Sequence, residues 1–478
     1  MSNVLDPRDQ VWFDYGRATG VSTLAQWVWV YNRGIDLDGL RRFHDHLRRG
    51  RLSRRIERSP LPFGRHRWVS ADGSSDIEVV ATARPREEFG DWLSEQAKSP
   101  LDCERGPGWH LAVLPFTDGG TGLSLLTSHC LTDGPGLCEA LADAAAGRDD
   151  PISWPAAGSR ARWQALREDA RQAVRDISAI GRAVVAAVRL ARRSRGDTGT
   201  PVRSTPLMVP AGTDEPVTLP TAMVFIDADE WDARAHSLGG NSTALLAGVA
   251  ARLAQRVGRV TADGSVSLVM PVNERAAGDT RANAFSDVNV EVDPAPATTD
   301  LREIRAAIKQ AVVRYRELAD EQRALFAVIP LLPKRLFKVA GTATSVVSSN
   351  LGVIDPAVSR PDGTVADYSA VQNAYQGMTE AMLHRLGGVQ AWASGRACGR
   401  VFVCVMAYQP GRLSSNDALR QELSSVLEDF SLTGTYLGES ANHPPPTKSP
   451  RRIDDTGARR APRGFRHHPA RPATPPIQ

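Results

Sequence analysis

The sequence predicts an α/β protein built from two subdomains, for three reasons. A chain of 478 residues is longer than one compact core usually spans and fits two domains of ordinary size. Hydrophobic residues make up 42% of the chain and charged residues 23%, as in ordinary globular proteins. Strand-like and helix-like patterns also alternate along the chain, which is typical of sheets flanked by helices.

Residue periodicity and β-propensity predict the individual elements. Residues 23–31 form an apolar, β-prone run, whereas residues 36–47 place Leu40, Phe43 and Leu47 on one face of a helix. Further strands are predicted at 110–115, 221–226, 265–270, 281–292, 344–352 and 401–407. Further helices are predicted at 242–256, where Asn241 or Ser242 serves as the cap, from Asp300 onward, and at 416–430.

Two basic segments interrupt an otherwise acidic chain. Residues 159–196 carry a net charge of +7 and the tail from Asn442 carries +6; subtracting both from the total of +4 leaves −9 for the rest. The body therefore lacks a nucleic-acid-binding signature, and we expect no nucleic-acid partner. The tail is rich in Pro and Arg and is expected to remain unfolded. We predict an N-terminal subdomain (1–155), a basic helical connector (156–215), a C-terminal subdomain (216–437) and the tail (438–478).

The cysteine pattern favours a reduced protein without a metal site. Five cysteines are scattered along the chain, with no CxxC pair and no Cys/His ligand spacing. The N-terminus lacks the apolar segment of a secretion signal, and no run approaches the ~18 apolar residues of a membrane span. These features predict a cytoplasmic location.

The stretch from Leu123 to Gly136 carries the strongest chemical signal. An apolar run of strand length ends at His129, and Asp133 and a Gly-Pro-Gly turn follow. A side chain at a strand end is held by a rigid element where the backbone turns. An imidazole near its usual pKa of about 6.5 is able to take a proton from a hydroxyl at neutral pH. We therefore predict that His129 is a general base and that Asp133 holds the turn or orients a cation.

His129-x-x-x-Asp133-Gly134 resembles the second half of the HHxxxDG motif of the chloramphenicol-acetyltransferase-like superfamily. This superfamily contains CoA- and carrier-dependent acyltransferases and the condensation domains of peptide synthetases. Ser128 stands where the family has its first His, which is mainly supportive, whereas the second His is the base. Further segments resemble the wax ester synthase/diacylglycerol acyltransferase branch in consistent order: "PLD…PLW" at 100–109, "PVNxR" at 271–275, "xNxFS" at 282–286 and "SN(V/L)G" at 349–352. In the first of these, Gly108 replaces the family's Leu before Trp109.

The resemblance implies two chloramphenicol-acetyltransferase-like subdomains, each a mixed sheet flanked by helices, with an active-site channel between them. It implies transfer of a long-chain acyl group from acyl-CoA or an acyl-carrier protein, as co-substrate, to an alcohol or diacylglycerol, with no bound cofactor or metal. His129 would deprotonate the acceptor, and Ser349 or Asn350 would donate to the oxyanion. Arg275 would pair with Asp133, since a buried carboxylate without a cation is costly.

Two other functions remain open. Ser128 in place of the first His is compatible with a non-catalytic protein that binds acyl chains or partner proteins. The superfamily also includes enzymes that form amides between carrier-bound substrates. The nature of the donor and the effect of losing His129 distinguish these possibilities.

The basic connector has two interpretations. Apolar residues, among them Trp163, Val174 and Ile177, recur at helical spacing, with Arg on the other faces. Such a helix packs its apolar stripe against the body, or it binds an anionic membrane surface through residues 159–196. The second interpretation would make the protein peripheral at the inner face of the membrane.

Overall fold

The computed structural model describes residues 3–71, 76–149, 153–196, 212–326, 329 and 345–438. Residues Met1–Glu439 form one compact unit, and the tail Ser440–Gln478, a separate unit, lies outside the described residues. The prediction that the tail is unfolded therefore stays a prediction.

Strands and helices alternate in both halves, as the sequence predicts. The first half contains α1 (Pro7–Thr19), β1 (Ser22–Tyr31), α2 (Leu37–Arg49), β2 (Arg54–Glu57), β3 (Arg67–Ser70), β4 (Glu78–Val79), α3 (Phe89–Gln96), β5 (Trp109–Pro115), β6 (Thr121–Ser128), α4 (Gly134–Ala145) and α5 (Arg162–Gly196). The second half contains β7 (Thr221–Asp227), α6 (Ala228–Ser237), α7 (Ser242–Arg256), β8 (Val266–Asn273), β9 (Phe285–Val292), α8 (Arg302–Leu325), β10 (Val346–Val353), β11 (Tyr368–Gln376), α9 (Glu380–Arg385), β12 (Val389–Ala397), β13 (Arg400–Tyr408), α10 (Asn416–Asp429) and β14 (Thr435–Tyr436).

Two larger sheets organise the molecule. The first has the order β11-β1-β6-β5-β4, and the second has the order β14-β7-β13-β12-β10-β8-β9. Both mix parallel and antiparallel pairs, because β4–β5, β10–β12 and β10–β8 run parallel and their other neighbours run antiparallel. The predicted class, α/β with two mixed sheets flanked by helices, is confirmed.

The first sheet takes one strand from the second half of the chain. β11 lies beside β1 in a register that pairs Leu24 with Ala374 and Trp27 with Val371. A strand edge left unpaired would expose a row of backbone donors and acceptors, and β11 removes that exposure for β1. The domain boundaries stay a prediction, but the two sheets do not divide cleanly between the two halves of the sequence.

Apolar side chains join the two sheets. The largest buried cluster contains Trp27 and Trp29 of the first sheet together with Phe225 and Phe402 of the second. A second cluster lies between the other face of the second sheet and α7, most of whose residues are buried. The caps of α7 follow the prediction, since the Asn241 side chain accepts a hydrogen bond from the N–H of Ala244.

Part of the predicted apolar stripe of the connector helix α5 is exposed, although the helix also packs beside α8. The side chains of Val184 and Val188, which complete the stripe, lie outside the described residues. The side chains of Trp163, Val174 and Ile177 are 83%, 67% and 63% exposed. A polar contact also attaches the first turns of α5: the carboxylate of Asp169 is buried and accepts hydrogen bonds from Arg67 at 3.0 and 3.1 Å. Residues 197–211 of the predicted connector lie outside the described residues. None of the described helices combines the length and the apolar character that crossing a membrane requires.

Candidate active site

The backbone around His129 is fixed from two sides. β6 ends at Ser128, and the N–H of His129 still donates to the carbonyl of Thr23 on β1 at 2.9 Å. The carbonyl of His129 accepts a hydrogen bond from Nδ2 of Asn283 at 3.1 Å. The rigid sheet therefore supplies one anchor, and the segment before β9 supplies the other.

Aromatic side chains enclose the imidazole of His129. The indole of Trp12 on α1 stacks on it with a centroid distance of 4.6 Å and an interplanar angle of 16°. The ring of Phe285 approaches it edge-on, with a centroid distance of 6.1 Å. Nδ1 is buried and has no hydrogen-bond partner, although the residue as a whole is partly exposed. The buried Nδ1 is therefore closed to a substrate, which leaves Nε2 as the candidate nitrogen for proton transfer.

The surroundings of His129 favour the neutral ring. Burial lowers the pKa of His129 below its ordinary value of 6.5, and the nearby charge of Arg8 acts in the same direction. The negative charge of Asp133, the carbonyl of His129 itself and the side chain of Asn283 oppose that shift. An imidazole that is neutral at pH 7 has a lone pair free to accept a proton.

Asp133 is a structural carboxylate at the start of α4. Its Oδ1 accepts hydrogen bonds from the N–H of Gly136 at 2.8 Å and from Nη2 of Arg275 at 2.7 Å. Its Oδ2 accepts one from the N–H of Ala284 at 2.7 Å. The side chain is 2% exposed, so it joins the His129 loop to the segment before β9 and does not face solvent.

Arg275 is the cation that the sequence assigned to Asp133, and the structure brings the two together. Both side chains are 2% exposed. The guanidinium also donates to the carbonyls of Arg281 at 3.1 Å and Ala282 at 2.9 Å. It thereby neutralises a buried charge and holds the loop that carries Asn283.

Two glycines of the turn after Asp133 are required for packing. A Cβ on Gly136 would lie 2.9 Å from Nη2 of Arg275 and 2.7 Å from the Thr132 hydroxyl. A Cβ on Gly134 would lie 2.7 Å from a methyl carbon of Leu351 in β10. The Gly-Pro-Gly turn therefore lets both the Arg275 guanidinium and β10 approach the His129 loop.

Ser128 is 5% exposed and holds the loop locally. Its hydroxyl accepts a hydrogen bond from the N–H of Cys130 at 3.3 Å. It also interacts with the thiols of Cys103 and Cys130; a hydrogen bond from the Cys103 thiol lowers the pKa of Cys130. Where the motif has its first His, this chain thus has a serine hydroxyl that contacts Cys103 and Cys130.

The two oxyanion candidates lie in different surroundings. Ser349 pairs in register with Ala393, which belongs to the cluster between the sheets. The side chain of Asn350 donates to the hydroxyl of Thr243 at 3.2 Å, accepts from the N–H of Gly352 at 2.9 Å and lines a cavity of about 390 Å³ beside α7. Asn350 thus faces α7, whereas Ser349 lies on the face of β10 that also carries Leu351, which packs beside Gly134 of the His129 loop.

Helix α1 supplies residues of the candidate site that the sequence did not indicate. Trp12 stacks on His129, the guanidinium of Arg8 lies 4.1 Å from the centre of the Phe285 ring, and Asp9 is fully buried beside Asn283. No spacing in the sequence connects α1 with His129. Asn283 was part of a recognised segment, but only its contacts reveal what it does. Among the described residues, no group of His, Cys, Asp and Glu is arranged to hold a metal ion.

Comparisons with solved structures identify the fold. The first condensation domain of the calcium-dependent antibiotic synthetase, with a substrate analogue, aligns with a TM-score of 0.57 and 13% identity over 90% of this chain and 96% of that one. Polyketide synthase associated protein 5 from Mycobacterium tuberculosis aligns with a TM-score of 0.51 and 15% identity, over 90% and 100% of the two chains. The starter condensation domain of rhizomide synthetase aligns with a TM-score of 0.52 and 13% identity, over 90% of this chain and 94% of that one.

Sequence comparisons add no narrower assignment. No protein-family model matches the chain. No curated protein matches it either. The structural neighbours include condensation domains of antibiotic and rhizomide synthetases. The chain therefore has the two-subdomain fold of a condensation domain.

Proposed function

We propose that this protein is an acyltransferase that uses His129 as its general base. One observation carries the proposal: in a condensation-domain fold, the imidazole at the end of β6 lies between Trp12 and Phe285 with its Nδ1 buried, which leaves Nε2 as the nitrogen for a substrate. Its lowered pKa supplies the neutral ring that a base requires.

The reaction would proceed without a covalent acyl-enzyme. Nε2 of His129 takes the proton of the acceptor as the acceptor's oxygen forms a bond with the thioester carbonyl carbon. The resulting tetrahedral oxyanion collapses, the C–S bond breaks, and the leaving thiolate takes the proton back from His129. Ser349, a half-buried residue, is the candidate donor to the oxyanion. Asp133 with Arg275 keeps the loop in shape.

The substrates follow from the resemblance of the sequence to the wax ester synthase branch. The donor is a long-chain acyl-CoA or an acyl-carrier protein, and the acceptor is the hydroxyl of an alcohol or a diacylglycerol. A second candidate is formation of an amide between carrier-bound substrates, which the condensation-domain neighbours favour. A third candidate is a non-catalytic protein that binds acyl chains, because Ser128 replaces the first His of the motif.

We also propose that α5 binds an anionic membrane surface. Trp163, Val174 and Ile177 are exposed, and Arg171 and Arg175 are exposed on the same helix. A helix with exposed apolar residues and a positive charge is attracted to anionic lipids. Sedimentation with phosphatidylserine vesicles at low salt should decrease in a Trp163→Ser/Ile177→Ser variant and persist in Val313→Ser, a control on α8 whose residue is 48% exposed. Equal binding of the two variants contradicts this proposal.

The activity is tested by thiol release from a panel of acyl-CoAs and acyl-carrier proteins. Each donor is assayed with a long-chain alcohol, a diacylglycerol or an amine. The wild type is compared with His129→Ala and with His110→Ala. The control residue His110 lies on the neighbouring strand β5 and contacts Glu78 at 2.8 Å.

Release that depends on a hydroxyl acceptor and is lost only in His129→Ala supports the O-acyltransferase. Release that requires a carrier-bound donor and an amine selects the amide-forming enzyme. Unchanged turnover in His129→Ala rejects His129 as the base. Acyl-chain binding without turnover for any donor selects the non-catalytic protein.

A further inference from the structure

A buried carboxylate on α1 holds the segment that contacts His129. Asp9 has no solvent exposure. Its Oδ2 accepts a hydrogen bond from the N–H of Ala282 at 2.9 Å, and its Oδ1 accepts one from the N–H of Asn283 at 2.8 Å. Nδ2 of Asn283 also donates to Oδ1, at 3.2 Å. Asp9 thus fixes both the backbone and the side chain of Asn283.

These contacts determine how the amide of Asn283 is oriented. Both carboxyl oxygens of Asp9 accept hydrogen bonds, and the group that reaches Oδ1 from the side chain of Asn283 is the amide nitrogen, which is a donor. The same nitrogen donates to the carbonyl of His129 at 3.1 Å, which uses its second hydrogen. Oδ1 of Asn283 is left buried with no hydrogen-bond partner.

The complementary group is the imidazole of His129. Its Nδ1 is also buried and has no partner. The amide of Asn283 lies beside His129, since its nitrogen donates to the carbonyl of His129 at 3.1 Å. Both the side chain of Asn283 and that carbonyl also raise the pKa of the ring, as hydrogen-bond acceptors do. Buried polar atoms in native proteins nearly always have hydrogen-bond partners. A hydrogen on Nδ1 of His129 that is directed at these oxygens would give a partner to Nδ1 and to Oδ1 of Asn283. Asn283 controls both acceptors: it supplies Oδ1 itself, and its amide nitrogen holds the carbonyl of His129 in place.

We propose that Asp9 is a positioning residue, which acts through Asn283 to hold His129 as the Nδ1–H tautomer with the lone pair of Nε2 facing the acceptor. The inference rests on the proposed function of His129 as the base. The opposite tautomer would place a hydrogen on Nε2 and could not accept the acceptor's proton. Loss of tautomer control alone is known to be costly in other histidine-based sites.

The tautomer is measured directly by ¹⁵N NMR of the imidazole nitrogens in the full-length protein labelled with ¹⁵N-histidine. His129→Ala identifies the signals among the ten histidines. The variants are Asp9→Asn, Asn283→Ala and Asp14→Asn. The last is a matched control, because Asp14 lies on the same helix, is 6% exposed and faces His66.

We expect the Nδ1–H form in the wild type and in Asp14→Asn, and a partial or complete change to Nε2–H in Asp9→Asn and Asn283→Ala. The kcat for thiol release should fall about 10- to 100-fold in these two variants, as for other residues that orient a functional His, with KM nearly unchanged. Circular dichroism identifies any variant that fails to fold. If Asp9→Asn or Asn283→Ala fails, the other variant tests the inference.

An Nε2–H signal in the wild type overturns the inference. The inference is also overturned if the Asp9→Asn and Asp14→Asn variants have the same tautomer and the same kcat. If His129→Ala retains full turnover, the proposed function fails, whereas the NMR result still decides whether Asp9 controls the tautomer. The two failures are therefore distinguishable.

Discussion

Replacing Arg275 with Met tests how much the buried ion pair contributes to stability. The substitution keeps an unbranched chain of similar length and removes the guanidinium. Asp133 and Arg275 are each 2% exposed, so Asp133 would remain as a buried charge without a cation. Breaking such a pair by removing one partner costs about 3–5 kcal/mol. The carbonyls of Arg281 and Ala282 would also lose a donor.

A double-mutant cycle separates the charge from the packing. In Arg275→Met/Asp133→Asn no unpaired charge remains, so we expect the double variant to be no less stable than Arg275→Met alone. Arg281→Met is the matched control, since Arg281 contacts Asp279 at 2.7 Å with side chains 29% and 11% exposed. A partly exposed pair of this kind contributes about 0–1 kcal/mol.

The assay is urea unfolding followed by tryptophan fluorescence and by circular dichroism. Fluorescence is informative because the chain has ten Trp residues. A loss of less than about 1 kcal/mol in Arg275→Met would refute the reasoning. Strict additivity of the two single substitutions would also refute it, because it would show that the two side chains do not interact.

Four further predictions concern the site. Because burial lowers the pKa of His129, the acid limb of kcat/KM should lie below pH 6.5, and a limb above 6.5 would contradict this. In Trp12→Ala water reaches one face of the ring, so that limb should move upward, whereas Trp12→Phe should keep it low. Gly136→Ala should destabilise the protein by about 1–3 kcal/mol, since its Cβ would lie 2.9 Å from Arg275; a neutral effect in urea unfolding would mean that the guanidinium moves freely. Burial raises the pKa of Asp9 from 3.8 to about 7, so the native state binds the proton more tightly than the unfolded state between these values. Wild-type stability should therefore fall relative to Asp9→Asn as pH rises from about 4 to 7, by on the order of 4 kcal/mol, and parallel pH profiles in urea unfolding would contradict this.

Local sequence patterns predicted most of the regular structure near the site. The β-prone run before Asn32 is β1, and the capped apolar pattern after Asn241 is α7. The apolar run that stops at His129 is β6, which ends one residue earlier. These predictions succeed because helix and strand periodicity, and the capping side chain, are properties of neighbouring residues.

The need to balance a buried charge also predicted one contact between distant parts of the chain, that of Asp133 with Arg275. A carboxylate expected to be buried needs a cation, and Arg275 followed a predicted strand in a segment that resembles a known motif. The structure places its guanidinium 2.7 Å from Asp133. The same reasoning gave no way to tell Ser349 from Asn350, because their separation depends on how β10 packs between β12 and β8.

By itself the sequence determined the α/β class, most of the strands and helices, and the identity of the candidate base and its loop. Only the tertiary structure decided what surrounds that base. α1, which brings Trp12 and Asp9, and the segment that brings Asn283 meet His129 from distant parts of the chain. It also decided that β11 joins the first sheet and that Trp163 stays exposed. Such contacts follow from the mutual packing of elements, since periodicity shows which face of an element is apolar and does not show which partner covers it.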